Sequence, residues 1–144
     1  MIIIFIKGDK FMNCNVYYET WQLECCGTVF SIGDTVKWLV CKVEQIDTPI
    51  DIGEIDYYYE AHSSDWENIF VLEGNVETIK ILYEQYEQKG NNSRILIPVD
   101  GKLIDTECAS GFEEKIDDMR ASAYVVHLKD CTIRPAKSEE VTFS

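Results

Sequence analysis

From Asn15 to Glu24 the residues Val16, Tyr18 and Thr20 alternate with Tyr17, Glu19 and Trp21, and this period of two predicts a strand with one buried face. Cys25-Cys26-Gly27 ends or bends it. Gly33-Asp34 then places a turn between Phe30 and the run Val36-Lys37-Trp38, which continues as a second strand through Val40 to Val43. Glu44 to Glu54, with Pro49 and Gly53, reads as a polar acidic loop, and Tyr57 to His62 as a strand. Ser63-Ser64-Asp65 is a turn before the apolar run Trp66 to Leu72. Gly74 to Tyr86 fits two periods: Val76, Ile79, Tyr83 and Tyr86 make a helical stripe, whereas Ile79, Ile81 and Tyr83 alternate as in a strand. The β-branched run favours the strand.

Gly90-Asn91-Asn92-Ser93 predicts a turn into Arg94 to Val99, and Asp100-Gly101 a tight turn into Lys102 to Cys108, together a meander. Ser110 and Glu113 have the spacing of a capping box, and Phe112, Ile116 and Met119 follow helical spacing, so a short helix is expected to about Arg120. Ala123 to Ile133 returns to strand, and residues 136–144 form a polar tail expected to fray. The pattern predicts a mainly β fold: a small antiparallel barrel or strongly bent sheet with one short helix, which protects its strand edges. The alternative is an α+β sheet with the helix covering one face.

With 144 residues, 46% of them hydrophobic, the chain has the size and composition of a single domain over 1–144. No run approaches the ~20 apolar residues needed to cross a bilayer, and the apolar start, Met1 to Ile6, lacks the basic flank and cleavage site of a secretory signal. A cytoplasmic location follows as an expectation. Residues 1–11 read as an N-terminal extension or an added edge strand, because Met12 offers a second start. The six cysteines are expected to be free, partly buried thiols rather than a disulfide framework, since a chain of this size can build its own core.

Charge changes the picture more. Between residues 43 and 79 stand ten acids and no Lys or Arg, so ten of the thirteen net negative charges fall in that segment. Direct nucleic-acid binding, which depends on basic contacts to phosphate, is opposed. A basic protein partner is favoured instead, with solubility alone as the plainer reading. Tyr57-Tyr58-Tyr59 and Trp66 lie within the segment, and aromatic rings supply large contact areas. Alternation sends Tyr57 and Tyr59 to one face, where they also suit a core. The binding surface selected by this reading comprises Asp51, Glu54, Asp56, Tyr57, Tyr59, Glu60 and Trp66.

Chemistry is sparse. His127, within an alternating strand, reads as structural; His62, at a strand end among carboxylates, is the better candidate base for a small hydrolase. Cys25, Cys26 and His62 could hold zinc, although the chain has no C-x-x-C pair and adjacent strand cysteines point to opposite faces. No cofactor is otherwise expected. Nucleotide-binding loops and common hydrolase motifs do not occur.

Trp21-Gln22-Leu23-x-Cys25-Cys26-Gly27, followed by Phe30, Gly33-Asp34, Val36 and Trp38, resembles the opening of an uncharacterised bacterial domain-of-unknown-function family. The resemblance implies a bacterial or phage source and carries no activity. The functional reading is therefore a non-enzymatic protein-binding module, immunity- or inhibitor-like, with a zinc protein and a small hydrolase as the alternatives.

Overall fold

The computed structural model of the chain describes residues 12–43, 45–61 and 66–141, apart from the side chains at 26, 92 and 93. The elements run β1 (Met12–Glu19), α1 (Thr20–Cys26), β2 (Phe30–Ser31), β3 (Thr35–Lys42), β4 (Tyr57–Tyr59), β5 (Phe70–Lys89), β6 (Asn92–Thr106), β7 (Cys108–Ala109) and β8 (Arg120–Pro135), with 3-10 turns at Trp66–Asn68 and Ser138–Glu140. The fold is mainly β. One six-stranded sheet has the order β3-β4-β1-β8-β5-β6, and β3 also pairs with β5, so hydrogen bonds close a ring through β3, β4, β1, β8 and β5 while β6 hangs from it. The bent-sheet expectation holds, without a regular barrel.

The twenty-residue β5 makes this closure by changing partners along its length. Its first part, Phe70 to Asn75, pairs with β3, and its second, Ile79 to Lys89, pairs with β6. β8 follows the other edge with register shifts between Glu73 and Asn75 and between Val76 and Thr78. Such bulges bend a strand and increase its twist. Gly74 lies inside the bend, where a Cβ would stand 2.7 Å from Cys131 Sγ. In the gap between β3 and β6, Val76 is satisfied by the turn before β3: Gly33 donates to its carbonyl at 2.9 Å, and its own N–H donates to Asp34 O at 2.8 Å. Gly33 adopts φ 96°, a conformation that favours glycine.

Three apolar clusters follow from alternation on these strands. The ring interior holds Val16, Tyr18, Trp38, Leu72, Tyr124, Val126 and Leu128 among others, and full burial of each such aliphatic side chain contributes about 1.5–3 kcal/mol. A second, outer cluster joins Ile69 and Val71 to Ala136 and Val141, so the segment predicted to fray is packed through Val141. The third sets Tyr17, Leu82 and Ala123 beneath Ile46, Ile50, Ile52 and Ile55 of the loop before β4.

Several local expectations are corrected. The helix predicted for 110–120 is absent: Ser110 Oγ and Glu113 do pair at 2.6 Å, but Gly111 (φ 85°) and Asp117 (φ 53°) take left-handed conformations that no α-helix continues. Phe112 is left 70% exposed, while Ile116 and Met119 turn towards the core through paired backbone hydrogen bonds. The helix occurs instead at Thr20–Cys26, where alternation predicted a continuing strand. Tertiary contacts win there. Gln22 is buried, its Nε2 donating to Tyr59 O at 3.0 Å and its Oε1 accepting from Ala61 N at 3.2 Å, which satisfies backbone at the end of β4.

Asp100-Gly101 does not turn either. β6 runs straight through it, with a one-residue register shift opposite Gln85 and Tyr86. A Cβ on Gly101 would lie 3.0 Å from Tyr83 O and 3.4 Å from both Ile50 and Pro49. Glycine therefore serves close approach of the β5 backbone at Tyr83, not reversal of the chain. The strand reading of Gly74 to Tyr86 and the turn at Gly90 are both found, Gly90 with φ 59°.

Candidate functional site

The acidic loop is not a free polar excursion. Ile46, Ile50, Ile52 and Ile55 pack it onto the outer face of β1, β8, β5 and β6, against Tyr17, Leu82 and Ala123. The acids that alternate with them, Asp47, Asp51, Glu54 and Asp56, are exposed. Apolar residues thus hold the loop down and leave its carboxylates outward.

Asn15 of β1 fastens one end. Its backbone N–H donates to Asp56 Oδ2 at 2.8 Å, its carbonyl accepts from Asp56 N at 2.9 Å, and its Nδ2 donates to Glu54 O at 3.0 Å. With the amide nitrogen so committed, Oδ1 faces His127 Nδ1 at 2.7 Å, and that ring nitrogen is the donor. Nε2 then faces Glu77 Oε1 at 3.6 Å, with Lys129 Nζ 3.9 Å from the other Glu77 oxygen. The loop tip is shaped locally, Gly53 N donating to Asp51 Oδ1 at 2.8 Å in an Asx turn.

Between loop and sheet opens a cleft of ≈ 390 Å³. Ile52, Leu103 and Val125 give it apolar walls, and Asn15, Asp51, Thr78, Lys80 and His127 give it polar groups. Among the described residues its lining includes neither Ser nor Cys, so none of them offers a nucleophile of the Ser–His or Cys–His kind. The apolar walls suit the stem of a long side chain, and Asp51 is the carboxylate acceptor for a donor at its tip, with Lys80 the one cation of the described lining.

The selected binding residues do not form one surface. Asp51, Glu54 and Asp56 come together on the loop. Tyr57 and Tyr59 instead pack against the ring interior, with the Tyr59 ring stacked on Trp38 at 5.9 Å and 8°. Tyr58 is the tyrosine on the loop side, its ring 5.3 Å from Tyr17 and its hydroxyl bonded to Glu19. Burial, then the bond to Glu19, pushes its phenol above the ordinary value, so it remains a neutral donor. Glu60 is half-buried, and Trp66 is exposed on the 3-10 turn leading to Ile69 and the second outer cluster, away from the loop's own.

His62 lies outside the described residues, as does the Cys26 side chain. Cys25 is disulfide-bonded, which corrects the expectation of free thiols at that position and removes its sulfur as a thiolate ligand. Cys14, Cys41, Cys108 and Cys131 are thiols outside any disulfide. Among the described residues no group of three or more His, Cys, Asp or Glu could hold a metal ion, and no helix is long and apolar enough to cross a membrane. His127, read from sequence as structural, is the histidine at the cleft. The sequence signal that could have found it is its cross-strand pairing with Asn15, which needs the register of β1 against β8.

One further acid stands out beneath the loop. Glu84 is only 5% exposed; its Oε1 accepts from Tyr86 Oη at 3.0 Å, and its Oε2 has no hydrogen-bond partner among the described residues. Burial, then Glu84, pushes the neighbouring Tyr17 phenol upward.

No curated protein and no solved structure matches the chain significantly. A family of unknown function, DUF6578, matches residues 12–130, a span that includes the Trp21 to Trp38 opening, and the chain belongs to that family.

Proposed function

We propose that this chain is a non-enzymatic protein-binding module, an immunity- or inhibitor-like protein of bacterial or phage origin working in the cytoplasm, that meets a basic partner through the outward face of its loop. The observation that supports the reading is the division of labour along residues 46–56: isoleucines face the sheet and carboxylates face away. A loop fixed by packing loses little further conformational freedom on binding, so electrostatic attraction is not spent on ordering it. The acids also steer a cationic partner to this face. A lysine or arginine of the partner fits the cleft, its stem against Val125 and Leu103 and its charge towards Asp51 and Asn15.

Fluorescence anisotropy with a labelled lysine- and arginine-rich peptide tests this. Replacing Asp51, Glu54, Asp56 and Glu60 by lysine is expected to weaken binding at least tenfold. The same charge change at Glu107, Glu114, Asp117 and Asp118, all outside the loop, is expected to weaken it less than threefold. Equal losses from the two variants would reduce the acidic segment to a solubility feature.

A further inference from the structure

A break in the alternation of β8 turns one cysteine inward beside another. Tyr124, Val126 and Leu128 face the ring interior, and unbroken alternation would send residue 131 outward. Lys129 and Asp130 instead stand together opposite Asn13, because Leu128 pairs with Cys14 and Cys131 with Met12. Asp130 takes φ 54° in this bulge. One extra residue reverses the faces of those that follow, so Cys131 is fully buried and Ile133 also packs against the interior. β1 keeps its alternation: Cys14 belongs to the interior cluster and Met12 packs against it. Sγ of Cys14 then lies 3.5 Å from Sγ of Cys131. Gly74 of β5 leaves the space that the second sulfur fills, since a Cβ there would be 2.7 Å from it.

Two thiols brought together in this way can close on each other or on a metal ion, and distance separates the two outcomes. A disulfide holds its sulfurs about 2.05 Å apart, an approach of about 1.5 Å from the separation seen. Metal–sulfur bonds of about 2.3 Å put two sulfurs of one ion about 3.8–4.0 Å apart, a parting of only about 0.3–0.5 Å. We propose that Cys14 and Cys131, with Met12 as the third ligand, form a binding site for a soft monovalent metal ion, Cu(I). Thiolate and thioether sulfurs select Cu(I), which is satisfied by two or three of them and does not need the four ligands that zinc takes. Met12 stands directly opposite Cys131 in the register and is half-buried, which gives the ion a way in at the start of β1. On binding, two S–H bonds break and Cu–S bonds form; both protons leave to solvent, and the copper stays Cu(I). Burial pushes both thiols up, so without the metal they remain protonated. Tyr57, whose phenol burial and then Cys14 push up, is a neutral donor within electrostatic reach of the negative charge the site gains. The site lies inside the ring, apart from the outward carboxylates of the loop, so it stands or falls independently of the basic partner.

Anaerobic titration of the full chain with Cu(I) against bathocuproine disulfonate, a Cu(I) chelator, measures the affinity, and amide shift mapping of the same diamagnetic complex locates the ion. One ion per chain is expected, with shifts centred on residues 12–14, 73–75 and 129–132. Cys14→Ser and Cys131→Ser are each expected to weaken binding at least tenfold, and Met12→Leu at least threefold. Cys108→Ser, at an exposed thiol, is expected to change it less than twofold. Shift mapping on the wild-type chain decides the matter even where a buried serine impairs folding. No retained copper, shifts centred on Cys25, Cys41 or Cys108, an affinity untouched by Cys14→Ser, Cys131→Ser or Met12→Leu, or a Cys14–Cys131 disulfide formed in place of the complex would each overturn the proposal.

Discussion

Asn15 and His127 stand opposite each other on β1 and β8, with Oδ1 of the one 2.7 Å from Nδ1 of the other. Because the same amide donates to the Glu54 carbonyl, this pair links the sheet to the acidic loop through one side chain.

Replacing Asn15 by Ala removes both side-chain bonds and leaves the backbone bonds to Asp56 in place. Two part-exposed bonds at about 0.5–1.5 kcal/mol each set the scale, so a loss of about 1–2 kcal/mol is expected in urea unfolding. Amide exchange should rise first in residues 51–56. A uniform rise across the sheet would mean that Asn15 does not hold the loop in particular.

Packing of the loop should matter to binding even when no charge changes. Ile52 and Ile55 are half-buried against the third cluster, so truncating either to Ala is expected to cost about 1 kcal/mol, less than the ~2–5 kcal/mol of fully buried sites. Affinity for the basic peptide should fall with it, through lost order in the loop. Unchanged affinity in a variant with accelerated loop exchange would separate packing from function.

The bend of β5 depends on Gly74. A Cβ there would approach Cys131 Sγ to 2.7 Å and Leu128 Cβ to 3.3 Å, in the fully buried interior. Gly74→Ala is expected to destabilise by about 1–3 kcal/mol, the scale of overpacking. In a Cys131→Ala background, where the sulfur is gone, the same substitution should cost less; purely additive effects would locate the strain elsewhere.

Acid should loosen the C-terminal segment. Arg134 donates two bonds to the Glu140 carboxylate, at 2.7 and 2.6 Å, and with the Lys137 N–H it holds that carboxyl well below the usual range, at about 2. The folded-state value is depressed, so the contribution is present above the ordinary carboxylate range and is lost as pH falls towards about 2. Carboxyl NMR titration should show this low midpoint in the wild type and a return to the ordinary range in Arg134→Ala. A Glu140 midpoint that does not move in the variant would contradict the assignment.

The sequence carried the strands well and the exceptions poorly, for identifiable reasons. β1, β3, β5 and β8 announce themselves by alternation, and the turns at Gly33 and Gly90 by residues that tolerate positive φ. Asp100-Gly101 and Ser110 to Glu113 were equally good local signals, yet contacts distant in sequence decide them: pairing with β5 carries Gly101 past the Tyr83 carbonyl, and Tyr124 Oη accepts from Gly111 N at 2.8 Å. α1 was hidden because its burial follows Gln22 and Leu23 rather than a stripe or an alternation. In the loop, charge drew attention to Asp51, Glu54 and Asp56, while the isoleucines between them held the structural information. Which way the three tyrosines face was readable only as two alternatives until the register of β4 between β1 and β3 fixed it.

The outward carboxylates of residues 47–56 are tested most directly by amide shift mapping during titration with the lysine- and arginine-rich peptide. Saturable shifts confined to residues 46–60, Asn15 and the neighbours of His127 are the predicted result. Shifts scattered over every acidic side of the molecule, or centred on Glu114 to Asp118, would contradict it.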